Sequence, residues 1–350
     1  MSKAVKITLI VATILIVFGI FVSTIALGTV GFDIRRLSNT STPVQQSYTA
    51  SPNANFQAVE VKGVSENYRI VQGTGSRLEI TYYEDEQTSY EFVERGSALV
   101  ITEKHKIVFM NFNFGFIGVL RETVITLPAG FSGSVELNTA SGDVKIQGLN
   151  DASSLKVSAT SGNITCDNVS VTNSLTLSSN SGDINCSNLK ADSISLKATS
   201  GNIKCNTMTS AKGLTADSNS GSLTLSRVQA DTIALKATSG NVKLDDVTAK
   251  RTLSANVFSG DIRGDQVQAE TITFKTTSGN IRVHKIRVSN LSCNANSGDV
   301  EVDVYGADSS YRISAKSFSG DVRVPSGNTS ASKTIDLSTT SGNIKLTFLG

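Results

Sequence analysis

The sequence predicts an all-β protein: a parallel β-helix, or β-solenoid, of about eleven coils, with an N-terminal β cap and one preceding transmembrane helix. Three observations predict this fold. A short turn, Ser-Gly followed by Asp, Asn or once Ser, recurs every 19 to 22 residues, and a fixed period of about 20 residues is typical of a solenoid. Apolar and polar residues alternate on both sides of each turn, and an uncharged run lies near the N-terminus.

The uncharged run covers residues 7–32 and is rich in Ile, Val, Leu and Phe. An apolar helix of that length spans the roughly 30 Å hydrocarbon core of a bilayer. A cleaved signal peptide is the alternative, since Ala26-Leu27-Gly28 places small residues at a suitable spacing, but secretory apolar cores are usually only about 7 to 15 residues long. We therefore expect an uncleaved single-pass anchor, with residues 1–6 as a cytoplasmic stub.

The charges beside this span do not decide its orientation. Lys3 and Lys6 precede the span. Arg35 and Arg36 follow it and are offset only by Asp33. The positive-inside rule is therefore nearly balanced.

Two segments separate the anchor from the repeats. Residues 33–55 are mostly polar and cannot bury a core, which predicts a flexible linker. Residues 56–131 contain short alternating runs without a fixed period, such as Leu78–Tyr82 and Val124–Leu127, which predict strands. A solenoid needs an atypical end to shield its first coil, so we expect this second segment to be a β cap.

The cap segment contains an aromatic stretch from Ile107 to Ile117 that differs from the rest of the chain after the anchor. Two interpretations are open. The stretch is either a strand that covers the core of the first coil, or an exposed apolar loop that contacts the membrane or a partner protein. The candidate contact residues are Phe109, Phe112, Phe114 and Phe116.

Residues 132–350 hold the repeats. In one coil, apolar residues alternate with polar ones over 155–159 before the turn and over 164–166 after it. This pattern predicts two strands per coil, and a further apolar residue such as Leu189 closes each coil inward. Stacking at about 4.8 Å buries the apolar sides, while glycine permits the sharp turn. The turn serines are Ser141, Ser161, Ser181, Ser200, Ser220, Ser239, Ser259, Ser278, Ser297, Ser319 and Ser341.

The sequence resembles a known family in four features: the anchor, the polar linker, the run Val124–Pro128, and repeats of the type Thr-Ser-Gly-Asn-Ile and Ser-Gly-Asp-Val. It is the bacterial putative-adhesin family, domain of unknown function family 4097, and the resemblance covers roughly Ala58 to Gly350. The resemblance implies a β-helical surface domain of the bacterial envelope, linked to adhesion or envelope stress, with no catalytic residues to assign. It also favours an extracellular C-terminal domain.

Three cysteines, Cys166, Cys186 and Cys205, share one inward position on successive coils, whereas Cys293 lies in another column. Adjacent coils are close enough for a disulfide, but the bond geometry is demanding. A metal site needs three or four converging thiolates, and a straight column spreads them apart. We expect buried thiols that act as small hydrophobic side chains.

Two outward columns are rich in basic residues. Three residues before the turn serine, lysine recurs on alternate coils with Asp or Asn between, which relieves repulsion between stacked like charges. Four residues after the turn serine, basic residues recur again. Together the two columns form a basic stripe, which suits a polyanion such as teichoic acid or an acidic polysaccharide. Solubility and control of the strand register are the alternative explanation for the stripe. The candidate binding residues are Lys197, Lys236, Lys275, Lys204, Lys243, Arg263 and Arg282.

The composition is poor in catalytic side chains, with no Trp, two His and a net charge of +2. Turn carboxylates rarely neighbour one another, so a general acid–base pair is missing. No calcium-binding nonapeptide, His-rich metal motif or Gly-Xaa-Ser-Xaa-Gly motif is visible. A row of threonines before the turns is interrupted by Phe258 and Phe318, which argues against an ice-binding face. We predict no catalytic residue, no cofactor and no metal.

We therefore expect a single-pass cell-membrane protein whose extracellular β-helix is a non-catalytic scaffold for adhesion, envelope binding or an envelope-stress role. The expected partners are the membrane, cell-wall or surface polyanions and envelope proteins, and we expect no nucleic-acid partner. The alternative is a polysaccharide-processing β-helix enzyme, either a lyase or a hydrolase. A cleft that holds two adjacent carboxylates beside an Arg or Lys would favour that alternative.

Overall fold

The computed structural model describes residues 43–51, 54–106 and 121–350, together with four helical residues, Ile16, Gly19, Thr24 and Gly28. Among these residues, no helix is long and apolar enough to cross a membrane. Apart from the four helical positions, the predicted anchor at 7–32 lies outside the described residues. The same holds for the aromatic residues Phe109, Phe112, Phe114 and Phe116.

The described fold is all-β, with 22 strands in one hydrogen-bonded sheet and a short 3-10 turn at Asp308–Ser310. The N-terminal strands are β1 (Val44–Thr49), β2 (Ala58–Gly63), β3 (Asn67–Gln72), β4 (Glu79–Glu84), β5 (Thr88–Arg95), β6 (Ala98–His105), β7 (Glu122–Leu127), β8 (Ser134–Thr139) and β9 (Val144–Gln147). The central strands are β10 (Ala152–Ser161), β11 (Ile164–Ser181), β12 (Ile184–Ser200), β13 (Ile203–Ser220), β14 (Leu223–Ser239), β15 (Val242–Ser259), β16 (Ile262–Ser278) and β17 (Ile281–Ser297). The C-terminal strands are β18 (Val300–Tyr305), β19 (Tyr311–Ser319), β20 (Val322–Arg323), β21 (Lys333–Ser341) and β22 (Ile344–Leu349).

Strands β11 to β17 wind around the solenoid instead of lying straight. In β12 the parallel register with β13 runs through three segments, 184–187, 189–191 and 193–200. Asn188, at φ 53°, makes the corner between the first two segments. The prediction of two strands per coil is therefore wrong, because the apolar residue expected only to close each coil belongs to a third parallel segment.

The Ser-Gly turn forms the first corner of each coil, and the neighbouring coil requires its glycine. A Cβ added to Gly240 would lie 2.1 Å from the carbonyl oxygen of Gly221, and the φ of Gly240 is +153°. Along the column, the same contact recurs at 1.9 to 2.2 Å. Successive first corners thus approach so closely that no side chain fits between them.

The residue after each glycine forms a side-chain ladder along the first corner. The backbone N–H of Asn163 donates to Oδ1 of Asp143 at 2.8 Å, and that of Asp183 donates to Oδ1 of Asn163 at 2.9 Å. The Nδ2 of Asn163 adds a bond of 3.3 Å to the same Asp143 oxygen. In stacking order the ladder runs Asn67, Asp143, Asn163, Asp183, Asn202, Ser222, Asn241, Asp261, Asn280, Asp299, Asn343 and Asp321. Asn alternates with Asp or Ser throughout, so no two carboxylates are stacked.

The N-terminal coils are stacked out of sequence order. The β2–β3 coil lies between the β6–β7 coil and the β8–β9 coil, and all these strands are parallel. Antiparallel strands then cover the end, since β5 pairs with β6, β4 pairs with β7 and β1 pairs with β4. The cap segment 56–131 therefore adds two coils to the solenoid and, together with β1, protects the last sheet edge. Strand β1 lies inside the segment 33–55 that was predicted as a flexible linker, and its pairing with β4 makes it part of the sheet instead.

The C-terminal coils are interleaved in the same way. Strand β21 pairs with β17 on one side and β19 on the other, and β22 lies between β18 and β20. The last coil in space is thus β19–β20, although β21–β22 is last in sequence. The two 22-residue spacings between the final turns supply the extra residues that this crossover needs.

The core consists of inward columns of apolar side chains. Cys166, Cys186 and Cys205 pair in register on neighbouring coils and are buried and free, which confirms the predicted column. Cys293 lies in a different column, in register with Phe274. Burial raises the pKa of the Cys166 and Cys293 thiols, so these thiols stay protonated at neutral pH.

Replacing Gly240 with Ala should lower the free energy of unfolding by at least about 3 kcal/mol, because the added Cβ overlaps a backbone oxygen at an unfavourable φ. Gly75→Ala is the matched control, since nothing lies within 4 Å of its added Cβ. Urea unfolding followed by circular dichroism compares the two variants. Equal unfolding midpoints would contradict the close approach at the first corner.

Replacing Asn163 with Asp places a third carboxylate between Asp143 and Asp183. Repulsion raises the folded-state pKa of the new carboxyl above its unfolded value near 3.9, so the destabilisation is present at pH 7 and recedes below about pH 4. We expect the free energy of unfolding to fall by about 2 kcal/mol at pH 7. Asn163→Ser is the control, because Ser222 already serves as an acceptor in the ladder. Thermal unfolding at pH 7 and pH 4 measures the stability of both variants. A loss of stability in Asn163→Asp that does not depend on pH would rule out the electrostatic explanation.

Candidate functional site

The predicted binding residues lie on two faces that meet at the first corner. We call the segments that lead into the Ser-Gly turn, such as 193–200, the pre-turn face. The segments that follow it, such as 203–206, form the post-turn face. Parallel in-register pairing carries both faces from coil to coil, so residues at equivalent positions line up in columns along the rod.

The pre-turn face carries the predicted lysine column. Lys197, Lys236 and Lys275 are all exposed. Asp217 lies in register between the first two lysines, and Asn256 lies between the second and third. None of the three lysines takes part in an ion pair within the described part of the chain. Their positive charge is therefore available to a ligand, and alternate coils place the backbones of successive lysines about 9.6 Å apart.

The post-turn face carries the second predicted column, in which Lys243, Arg263 and Arg282 are stacked on consecutive coils. The Nη2 of Arg263 is 2.9 Å from Oδ2 of Asp261, and that of Arg282 is 4.0 Å from Oδ2 of Asp299. The turn aspartates thus neutralise part of the positive charge of this column. Lys204 belongs to the same column but is separated from Lys243 by one coil, where Thr224 stands.

Asp261 shows the electrostatic coupling at this corner. Burial acts to raise the pKa of its carboxyl, but hydrogen bonds from the Asn280 backbone and amide and the charges of Arg263 and Arg282 outweigh it, so the pKa lies below its usual range. The carboxylate therefore stays ionised and continues to hold both the ladder and the arginine.

Acidic residues lie next to the basic column on the post-turn face. Asp245 and Asp265 are neighbours in register. Asp265 pairs with Lys285 at 3.2 Å, and on the next two coils Nδ1 of His284 is 2.7 Å from Oδ2 of Asp303. An open groove of about 400 Å³ is lined by Lys243, Leu244, Asp245, Arg263, Gly264, Asp265, Arg282 and His284.

This groove brings together three of the predicted basic residues and two carboxylates that were not predicted as neighbours. It matches the surface pattern that would favour a polysaccharide-processing enzyme. In the described residues, however, no group of three or more His, Cys, Asp and Glu side chains is placed to hold a metal ion. The signal that could have found the groove is the Asp two residues after Lys243 and again two after Arg263.

A buried polar cluster in the N-terminal coils was not predicted from the sequence. The carboxylate of Glu103 accepts hydrogen bonds from the backbone N–H groups of Val64 and Ser65 at 2.6 and 2.9 Å, and from the Tyr68 hydroxyl at 2.6 Å. The sequence signal is a charged residue at the inward position that follows Ile101 in β6. These bonds fasten the β6–β7 coil to the β2–β3 coil.

Glu66 lies beside this cluster, with Oε1 3.8 Å from Nη1 of Arg121. Burial raises the pKa of Glu66 to about 7; the charge of Arg121 opposes the shift, while those of Glu103 and Asp85 add to it. A carboxyl that titrates near neutral pH couples the stability of the capping coils to pH.

The stacked coils define a β-solenoid repeat protein. The sequence profile of the family Toastrack DUF4097 matches residues 56–211 and 190–347, so the chain belongs to this family. That result confirms the resemblance inferred from the turn motifs. The comparison with curated protein sequences gives no match.

Several solved structures are similar at low sequence identity. A putative adhesin from Bacteroides fragilis is 12% identical, with 76% of this chain and 99% of that chain covered and a TM-score of 0.38. A putative adhesin from Parabacteroides distasonis is 17% identical, with coverages of 75% and 98% and a TM-score of 0.43. A putative lipid binding protein from the same species is also 17% identical, with coverages of 73% and 98% and a TM-score of 0.34. Because these TM-scores are low, we rest no functional inference on them.

Glu66 should make the protein more stable in mild acid. Its folded-state pKa, about 7, lies above the ordinary value of 4.5, so its contribution is fully present below about pH 4.5 and is lost as the pH rises through 7. Glu66→Gln should raise the melting temperature at pH 8 and flatten the change between pH 5 and pH 8. The exposed Glu79 provides the control, Glu79→Gln. An unchanged pH dependence in Glu66→Gln would show that Glu66 is not the group responsible.

Proposed function

We propose that the protein is a membrane-anchored, non-catalytic scaffold of the bacterial cell surface that binds anionic envelope polymers along the first corner of its solenoid. The observation that carries the proposal is the pre-turn column of Lys197, Lys236 and Lys275. These lysines are exposed, evenly spaced and free of ion pairs in the part of the chain that the structure describes. A regular row of free cations attracts a polymer with regular negative charges.

Residues on the post-turn face extend the site. Lys204 and Lys243 lie across the first corner from the lysine column, and Arg263 and Arg282 continue their column. Because turn aspartates engage the two arginines, the lysines supply most of the free positive charge. Teichoic acid and acidic polysaccharides are the ligand classes that suit this arrangement.

Anchoring and location are part of the same proposal. The uncharged run at 7–32 supports a single-pass membrane anchor. Within the polar segment 33–55, the residues that precede β1 (Val44–Thr49) support a short tether between the anchor and the solenoid. Membership of the family supports an extracellular C-terminal domain. Adhesion, envelope binding or an envelope-stress role would each use a rigid rod of this kind, and Phe109, Phe112, Phe114 and Phe116 remain proposed contacts with the membrane or an envelope protein.

A second candidate function is polysaccharide processing. The adjacent carboxylates Asp245 and Asp265 beside Arg263 favour it, since acid–base catalysis needs such a pair. Against it, Asp265 is already paired with Lys285 and the groove does not enclose a substrate. We therefore favour binding without catalysis.

Replacing Lys197, Lys236 and Lys275 together with Gln should weaken co-sedimentation of the protein with purified cell wall roughly tenfold at low salt. The difference from wild type should shrink as salt is added, because screening removes the same interaction from the wild type.

The matched control replaces Lys106, Lys190 and Lys250 with Gln, which removes the same charge from exposed lysines that lie away from the pre-turn column and, among the described residues, form no ion pair. This control should sediment like the wild type. Equal sedimentation of the two triple variants at low salt would sink the proposal, because net charge alone would then explain binding.

A further inference from the structure

The solenoid contains two copies of one exposed arrangement at the first corner. Phe258 begins the run Phe-Ser-Gly-Asp-Ile-Arg, and Phe318 begins Phe-Ser-Gly-Asp-Val-Arg. The exposed fractions of the two phenylalanines are 63% and 90%. In both copies the arginine pairs with the turn aspartate, at 2.9 Å for Arg263 and 3.4 Å for Arg323. An exposed Phe on an otherwise polar sheet face has no role in the core.

Both phenylalanines lie in one column of the pre-turn face. In stacking order the coils between them carry Thr277, Asn296 and Thr340 at this position. The two rings are therefore four coils apart, or about 19 Å. In sequence order they are only three turns apart, and the insertion of β21 beside β17 creates the fourth step.

Each ring has an exposed lysine near it on the same face. Lys275 lies one coil on from Phe258 and two residues back along the strand, and Lys316 lies two residues before Phe318 in β19. Beside Phe318 is a groove of about 330 Å³, which is large enough for one ring of a small ligand. The groove is lined by Asn294, Ala295, Lys316, Ser317, Phe318, Ser338, Thr339 and Thr340.

The spacing of the rings decides what ligand they suit. A protein interface needs a contiguous apolar centre, whereas these two rings are separated by three polar coils. An acidic sugar polymer fits better, because a pyranose ring has an apolar C–H face that stacks on an aromatic ring, while its hydroxyl and acidic groups reach Thr, Asn and Lys side chains.

We propose that the first corner binds an acidic polysaccharide, with sugar rings stacked on Phe258 and Phe318 and acidic groups held by Lys275 and Lys316. The inference rests on the proposed function, since it takes the polyanion-binding corner as given and names the ligand. The two rings act as linked sites on one chain, so a long polymer gains affinity from both at once.

Binding of the full chain, in mild detergent, to two polymers tests the inference. Polygalacturonate carries acidic groups on sugar rings, whereas inorganic polyphosphate carries charge without rings. Phe258→Ala and Phe318→Ala should each weaken polygalacturonate binding about fivefold, and the double variant at least about 25-fold, because each loses a stacking contact. Polyphosphate binding should not change.

Ligand length tests the pairing of the two rings. Digalacturonate is too short to span about 19 Å. Either single substitution should then lower its apparent affinity only about twofold, because the other ring still provides a site. If a single substitution lowers the affinity for the disaccharide and the affinity for the long polymer by the same factor, the two-site arrangement is overturned.

Asn219→Ala is the control, since Asn219 is exposed in the same column on another coil, and it should bind both polymers like the wild type. If the phenylalanine variants bind both polymers more weakly than the wild type does, the assignment of a sugar ligand is overturned. The same conclusion follows if they bind both polymers as the wild type does. The lysine triple variant separates the two proposals: if it weakens both polymers while the phenylalanine variants weaken neither, only the ligand assignment fails. If it binds both polymers normally, the proposed function itself fails.

Discussion

The close approach of successive coils at the first corner is the contact on which the rest of the structure depends. Each turn glycine packs against a backbone carbonyl group at the first corner of the neighbouring coil, and the next residue donates its N–H to an Asp, Asn or Ser side chain of that coil. A slip of one residue would force a side chain into the glycine contact and turn every inward residue outward. The corner therefore fixes the register of all three segments in the coil.

A fixed register turns a sequence repeat into columns with definite chemistry. At the corner itself, Asp alternates with Asn or Ser, because two stacked carboxylates would repel each other and an Asn can donate to its Asp neighbour. On the post-turn face, the same aspartates draw in Arg263 and Arg323. On the pre-turn face, the lysines are separated by neutral or acidic residues, and Lys197, Lys236 and Lys275 keep their positive charge free of ion pairs among the described residues. The proposed binding of a polyanion therefore uses that face and the corner.

The two ends of the rod protect their sheet edges in different ways. At the N-terminal end, antiparallel strands cover the last parallel coil, and Glu103 joins two coils through buried hydrogen bonds. At the C-terminal end, β19 and β20 each pair with one strand among the described residues, and the exposed charges of Arg312 and Lys316 discourage further pairing. Interleaving at both ends ties the terminal coils to interior ones, so neither can detach without breaking two ladders.

The sequence by itself determined the solenoid, its period, the inward cysteine column and the lysine column, because each of these follows from local alternation and a repeated turn. It did not determine the third segment of each coil, since one or two apolar residues between polar ones do not distinguish a strand from a closing loop. The tertiary structure alone decided the stacking order at the two ends. That order depends on which distant strands pair, and it restores the Asn–Asp alternation through Asn67, Asn343 and Asp321. It also places Phe258 and Phe318 four coils apart, a distance that no sequence spacing shows.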